Sequence, residues 1–193
     1  MFSYLNSHAN SEMVFDPIRV EFDKALFPKK YWGFSIYAQV ASDSQEELPP
    51  DMPKPCGKGM DMRAYVDSDH AWDTVTRRSS TGFVILLNGA PIYWNYKKQN
   101  SCETSYFGSE LCAMKQATYY VKGFRYKLRM MVIPVEDPTF IFGDNQSVIS
   151  KTTMSKSIPK KKMQMIEYHF VREGCARYEL WTACIVQTLS SLQ

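Results

Sequence analysis

The sequence predicts an α/β domain built on a five-stranded mixed sheet, in which an antiparallel meander is extended by parallel strands. Three observations predict it. Apolar Met62, Ala64 and Val66 alternate with Arg63, Tyr65 and Asp67, the period of a half-buried strand. Asn88-Gly89 then separates two β-prone runs, residues 81–87 and 91–96. Asn-Gly is a strong hairpin signal because both residues tolerate positive φ. Over residues 103–129 the period changes: Phe107, Leu111, Met114, Ala117, Val121, Phe124 and Leu128 recur at spacings of three and four, as on one face of a long helix. The short apolar run 139–142 follows that helix, and a strand returning in this way runs parallel to an earlier one through a right-handed crossover.

Residues 1–17 end in Val14-Phe15-Asp16-Pro17, an apolar run stopped by a turn signal. Residues 18–59 carry an acidic stretch, Pro49, Pro50, Pro53 and Pro55, and then Gly57 and Gly59. Such a segment cannot sustain helix or sheet hydrogen bonding and reads as a linker. Tyr31-Trp32-Gly33-Phe34 inside it is expected to dock on the domain, which occupies residues 60–193. Lys97-Lys98-Gln99 closes the meander. A short second helix is expected from Asn145 to about Met154. Pro159 opens a third, with Lys160, Lys161 and Lys162 in its first turns and a stop near Gly174. Residues 180–186 read as the fifth strand.

A chain of 193 residues fits one domain with an appendage, and 45% hydrophobic residues suffice for a core. No apolar run approaches the roughly 20 residues that span a bilayer, and no signal-peptide pattern follows Met1. The expectation is therefore an intracellular protein, in a cytoplasmic particle or the nucleus, neither secreted nor membrane-bound. The five cysteines are an odd number without C-x-x-C spacing, which argues against a disulfide framework and a zinc site and for a reducing compartment. A net charge of +3 permits a nucleic-acid partner without demanding one.

The chemistry lies in the acids. Asp67 and Asp69 stand where the first strand should end. Glu110 falls in the middle of the helical apolar stripe, where a carboxylate is costly unless paired or bound to metal. Asp144 follows a strand and precedes a helix, a common place for ligand sites in α/β sheets. Each has a plainer reading: Asp67 as a turn residue, Glu110 as a first-turn acid bent to solvent, Asp144 as a helix N-cap. Together they point to a divalent-metal site. Mg²⁺ prefers oxygen ligands, and two such ions about 4 Å apart promote phosphodiester hydrolysis. The three histidines form no H-x-x-x-H pair, and neither a G-x-S-x-G elbow nor a P-loop is present.

Several motifs fit one pattern in order and with the expected spacing. They are Tyr65-Val66-Asp67-Ser68-Asp69-His70-Ala71, Arg77-Arg78-Ser79-Ser80-Thr81-Gly82-Phe83, Pro91-Ile92-Tyr93-Trp94, Lys97-Lys98-Gln99, Ser109-Glu110-Leu111, Asp144-Asn145-Gln146-Ser147 and Tyr168-His169-Phe170-Val171-Arg172-Glu173. Over about residues 60–185 they resemble the ribonuclease H domain of copia-type retrotransposon polyproteins. Residues 1–17 look like the tail joining the reverse transcriptase to that domain. The resemblance implies an RNase H fold with helices on both sheet faces, and an endonuclease that cuts the RNA strand of an RNA–DNA hybrid. It also implies two Mg²⁺ ions, with Mn²⁺ as a substitute, and Asp67, Glu110 and Asp144 as catalytic, metal-binding acids. Thr104, Ser105 and Gln146 would lie at the hybrid's minor groove, where 2′-hydroxyls and groove shape are read. Lys97, Lys98 and Lys160 to Lys162 would contact phosphates or form a solvated basic face. The partners implied are the hybrid and the reverse transcriptase part of the polyprotein.

Two departures from the pattern stand out. The family motif that begins a last helix and supplies a fourth carboxylate would fall near Gln193, and no Asp or Glu follows Glu179. The expectation is a truncated domain lacking that helix, with apolar sheet surface exposed. Asp69 and Asp73 are then the acids to weigh as replacements. The alternative is an inactive retrotransposon remnant that at most binds nucleic acid or docks on a reverse transcriptase. Trp72 stands where such sequences carry a small residue, and either crowds the metal mouth or packs on the surface.

Overall fold

The computed structural model describes Trp32, Tyr37, Ala38 and residues 50–135, 137–154 and 165–184. Its elements are β1 (Met62–Asp69), β2 (Ser80–Leu87), β3 (Ala90–Lys98), α1 (Tyr106–Met130), β4 (Thr139–Gly143), α2 (Gln146–Thr153), α3 (Met165–Ala176) and β5 (Leu180–Cys184). One sheet runs in the order β3-β2-β1-β4-β5. The first three strands are the predicted antiparallel meander, while β4 pairs parallel to β1 and β5 parallel to β4. This is the mixed sheet that the RNase H resemblance implies. Asn88 (φ 49°) and Gly89 (φ 84°) form the hairpin turn in the left-handed region.

Alternation of side chains sorts the sheet into two faces. Ala64, Val66, Phe83, Ile85, Ile141 and Leu180 pack inward against Leu111, Met114, Ala117 and Val121 of α1 and Tyr168, Val171 and Cys175 of α3. The other face buries Phe140, Phe142, Trp181 and Ala183, each 2–4% exposed. That corrects the expectation of open apolar surface on this face. Its aromatics contact one another: Tyr65 stacks on Phe142 at 5.1 Å, Phe140 on Phe142 at 6.2 Å, and Tyr178 meets Trp181 edge-on at 6.3 Å.

Two buried arginines tie elements together, one joining helix to sheet and the other helix to helix. Arg125 donates from Nη1 to the Asp137 carbonyl at 2.8 Å and to Thr139 Oγ1 at 3.2 Å, fixing α1 against the start of β4. Arg172 donates to the Lys151 carbonyl at 3.0 Å and to the Tyr168 hydroxyl. Its guanidinium lies over the rings of Trp32, Tyr37 and Tyr168 at 5.1, 5.1 and 4.8 Å. Trp32 is therefore core, 4% exposed, as the docking expectation required, but it is not a surface for a second protein. Tyr31, Gly33 and Phe34 lie outside the described residues, as do residues 1–17, the Pro159 helix start, Lys160 to Lys162 and residues 185–193.

Candidate metal centre

β1 and β4 run side by side in the same direction, with Tyr65 opposite Phe142. Two residues further along each chain stand Asp67 and Asp144, so the parallel register alone aligns these two acids. Gly143 helps by its lack of a side chain. A Cβ there would lie 3.2 Å from Met114 Cε and 3.7 Å from Val66 Cγ1, so the chain passes close to α1 just before Asp144. The plainer reading of Asp144 as an N-cap does not hold. Asn145 caps α2, its side-chain oxygen accepting from the backbone N–H groups of Ser147 (3.1 Å) and Val148 (3.2 Å).

Glu110 arrives from α1. Ser105 caps that helix by accepting from the Gly108 N–H at 3.3 Å, which starts it three residues later than the periodicity suggests. Buried Gln99, at the end of the meander, donates to Thr81 Oγ1 and to the Ser109 carbonyl, both at 2.9 Å. This amide clamps β2 to the first turn of α1 and holds Glu110 over the ends of the strands. Sequence reading placed Gln99 in a motif but missed this clamping role; its position directly after two lysines and just before the helix was the available signal. Glu110 is 8% exposed, so it does not bend to solvent.

One ligand oxygen from each of Asp67, Glu110 and Asp144 lies within 4.8 Å of the others. Asp67 and Asp144 are exposed, and Glu110 is buried behind them. Burial, chiefly, pushes the Glu110 carboxyl up to about 7, and the charges of Asp144 and Asp67 add to the rise. An all-oxygen donor set of clustered acids, one of them raised chiefly by burial, suits a hard divalent cation.

The remaining expected residues sit at the following positions. Gln146 opens α2 directly after its cap, and Thr104 is exposed just before α1. Lys97 and Lys98 are exposed at the end of β3. Lys98 bonds Asp73, whose carboxyl also accepts from Thr76 and the Val75 N–H and is held well below the usual carboxylate range, chiefly by Lys98. Among the described residues, neither Asp69 nor Asp73 joins the three-acid group. His70 and Tyr106, which the sequence gave no reason to pair, meet at 4.5 Å between ring centroids beside the end of β1. Trp72 is 61% exposed. No disulfide links the cysteines, all five of which are free. No described helix is long and apolar enough to cross a membrane.

No family model matches the chain. A retrovirus-related Pol polyprotein from transposon TNT 1-94 of Nicotiana tabacum is 28% identical over 123 residues, covering 61% of this chain and 9% of the polyprotein. The corresponding polyprotein from transposon RE2 of Arabidopsis thaliana is 26% identical over 116 residues, 60% of this chain and 8% of its own length. The chain thus spans less than a tenth of these relatives. Among solved structures, LC11-RNase H1 in complex with RNA/DNA hybrid superposes with a TM-score of 0.49 at 13% identity, covering 67% of this chain and 90% of that one. Over about 60% of its length the chain is thus similar to retrovirus-related Pol polyproteins of plant transposons, and its described residues form the five-stranded mixed sheet that the resemblance implies.

Proposed function

We propose that the domain cuts the RNA strand of RNA–DNA hybrids during reverse transcription, with Asp67, Glu110 and Asp144 holding two divalent ions, Mg²⁺ first and Mn²⁺ as a substitute. The observation that carries this reading is the convergence of three carboxylate oxygens within 4.8 Å at the ends of parallel β1 and β4. When bound, such ions supply Lewis acidity to the phosphodiester and lower the pKa of an attacking water. The chain's own groups do the rest. Asp67 and Asp144 face solvent, where a backbone phosphate can approach, and Glu110 orients from behind. A carboxyl near 7 gives up its proton readily at neutral pH when a cation arrives.

Thr104 and Gln146, at the starts of α1 and α2, supply short polar contacts for 2′-hydroxyls, and Ser105 retains its hydroxyl hydrogen for the same use. Lys97 and Lys98 supply phosphate contacts. The Pol polyprotein context of the relatives supports a reverse transcriptase part as the working partner; a cytoplasmic particle or the nucleus as the place of action is part of the same proposal.

The test is cleavage of an end-labelled RNA–DNA hybrid in Mg²⁺ and in Mn²⁺. The wild-type chain cuts only the RNA, and Asp144→Asn loses at least about a hundredfold in rate, equivalent to about 2.7 kcal/mol of transition-state stabilisation. Folded protein that fails to cut in either metal contradicts the proposal. A second reading, hybrid binding without turnover, is favoured by one observation: among the described residues three acids converge, not four, which weakens the hold on a second ion.

A further inference from the structure

The outer face of the meander carries an aromatic row that the metal centre does not use. Among the described residues β3 is an edge strand, and its outward positions are Ile92, Trp94, Tyr96 and Lys98. Trp94 is 65% exposed and Tyr96 70%, while the alternate residue Tyr93 packs inward on Phe83, Tyr120 and Phe124. Two large rings facing water two residues apart on one strand are costly in solvation and gain nothing for the core.

The register connects this row to the acids. Asp67 stands opposite Gly82, and Gly82 opposite Tyr96; one step back, Tyr65, Val84 and Trp94 form the neighbouring row. At about 4.8 Å between strands, Tyr96 is about 10 Å from Asp67 across the sheet. Gly82 leaves the gap open. A Cβ on it would meet Tyr96 Cδ2 at 3.7 Å, so the Tyr96 ring leans over the bare backbone toward Asp67. The same end of the sheet is rimmed by exposed cations, Arg77 and Arg78 in the β1–β2 connection and Lys97 and Lys98 on β3. The two loops are joined there, since Cys102 Sγ donates to the Arg77 carbonyl at 3.2 Å and the Gln99 N–H to the Ser79 carbonyl at 2.8 Å.

We propose that Trp94 and Tyr96 form a stacking platform for unpaired bases of a nucleic-acid strand, with Arg77, Arg78 and Lys97 on its phosphates. Exposed ring faces interleaved with cations are the chemistry of single-strand binding: the rings take the bases and the cations follow the backbone. A paired duplex keeps its bases stacked internally and does not offer them, so the platform selects an unpaired segment. This goes beyond the cleavage reading but rests on it for the class of partner. Continuity of the Asp67–Gly82–Tyr96 row with the acids places such a segment next to the strand being cut. A second copy of this chain on the edge strand is the competing occupant.

The experiment uses the full chain in EDTA with fluorescently labelled dT10, read by anisotropy, beside hybrid cleavage in Mg²⁺ on the same preparations. Trp94→Ala and Tyr96→Ala each weaken dT10 binding about tenfold or more, whereas Trp94→Phe keeps most of it, and circular dichroism shows all three folded. Undetectable dT10 binding by the wild-type chain overturns the platform, and so does equal binding by Trp94→Ala. Sedimentation showing a dimer that Trp94→Ala dissociates assigns the face to a second copy and also overturns it. The two proposals fail separately. Cleavage lost with aromatic-dependent dT10 binding retained removes the nuclease and keeps the platform; cleavage retained without that binding does the reverse.

Discussion

The raised carboxyl of Glu110 makes the metal-free protein sensitive to pH in a direction opposite to an ordinary paired acid. Its folded value is about 7 against 4.5 for a free side chain, because burial and the charges of Asp144 and Asp67 disfavour ionisation. The folded state therefore holds one more proton than the unfolded state between those values. The associated stability is fully present below about 4.5 and is lost as pH rises through about 7. At about 1.4 kcal/mol per pH unit the whole window is worth at most about 3.5 kcal/mol. Water reaching Asp67 and Asp144 screens the site and reduces the expected effect to about 1–2 kcal/mol. Glu110→Gln keeps the shape and removes the titration. Urea unfolding in EDTA at pH 5, 6, 7 and 8 should find the two proteins similar at pH 5 and the variant more stable by about 1–2 kcal/mol at pH 8. Parallel pH profiles for the two proteins would refute the reasoning. So would a wild-type protein that gains stability relative to the variant as pH rises.

Two further substitutions test how the helices are held. At Gly174 in α3, an added Cβ would sit 2.6 Å from Leu180 Cδ2, 3.0 Å from Leu180 Cγ and 3.1 Å from Lys122 Cε. Gly174→Ala gains up to about 1 kcal/mol in helix propensity but costs about 1–3 kcal/mol in overpacking, so a small net loss is expected in urea unfolding. A stabilised variant would contradict that contact. Trp32→Ala removes a buried indole stacked over Arg172 and should cost about 3 kcal/mol by the same measurement. A loss below about 0.5 kcal/mol would mean that Trp32 contributes no more than a surface residue.

Much of this architecture is legible in the chain because local signals agree with the global fold. Asn88-Gly89 fixes the hairpin, and the alternation from Met62 onward fixes which face of β1 is buried. The stripe on α1 gives away the helix and, through Glu110, the acid that faces inward. The approach of Asp67, Glu110 and Asp144 was legible as types and order only; the parallel register of β1 and β4 turns order into proximity. Other features had no local signal. Nothing near Asp144 says that Asn145 takes the capping role. Nothing local says that Arg125 and Arg172 are buried; only the folded chain puts Thr139 beside the one and the aromatic rings around the other. The burial of Phe140, Phe142 and Trp181 depends on strands distant in sequence and so was misjudged from the chain alone. The exposed aromatic row on β3 aligns with Asp67 across Gly82 only in the paired sheet, so its place beside the acids had no local signal.

The central claim is that three acids on three separate elements act together on one kind of ion. Binding of Mn²⁺, followed by electron paramagnetic resonance at pH 7.5, tests it most directly. Wild-type protein should bind the ion saturably, Mg²⁺ should compete, and Asp67→Asn and Asp144→Asn should each abolish the tight binding while circular dichroism stays unchanged. Equal Mn²⁺ binding by wild type and both variants would place the ion elsewhere and contradict the account.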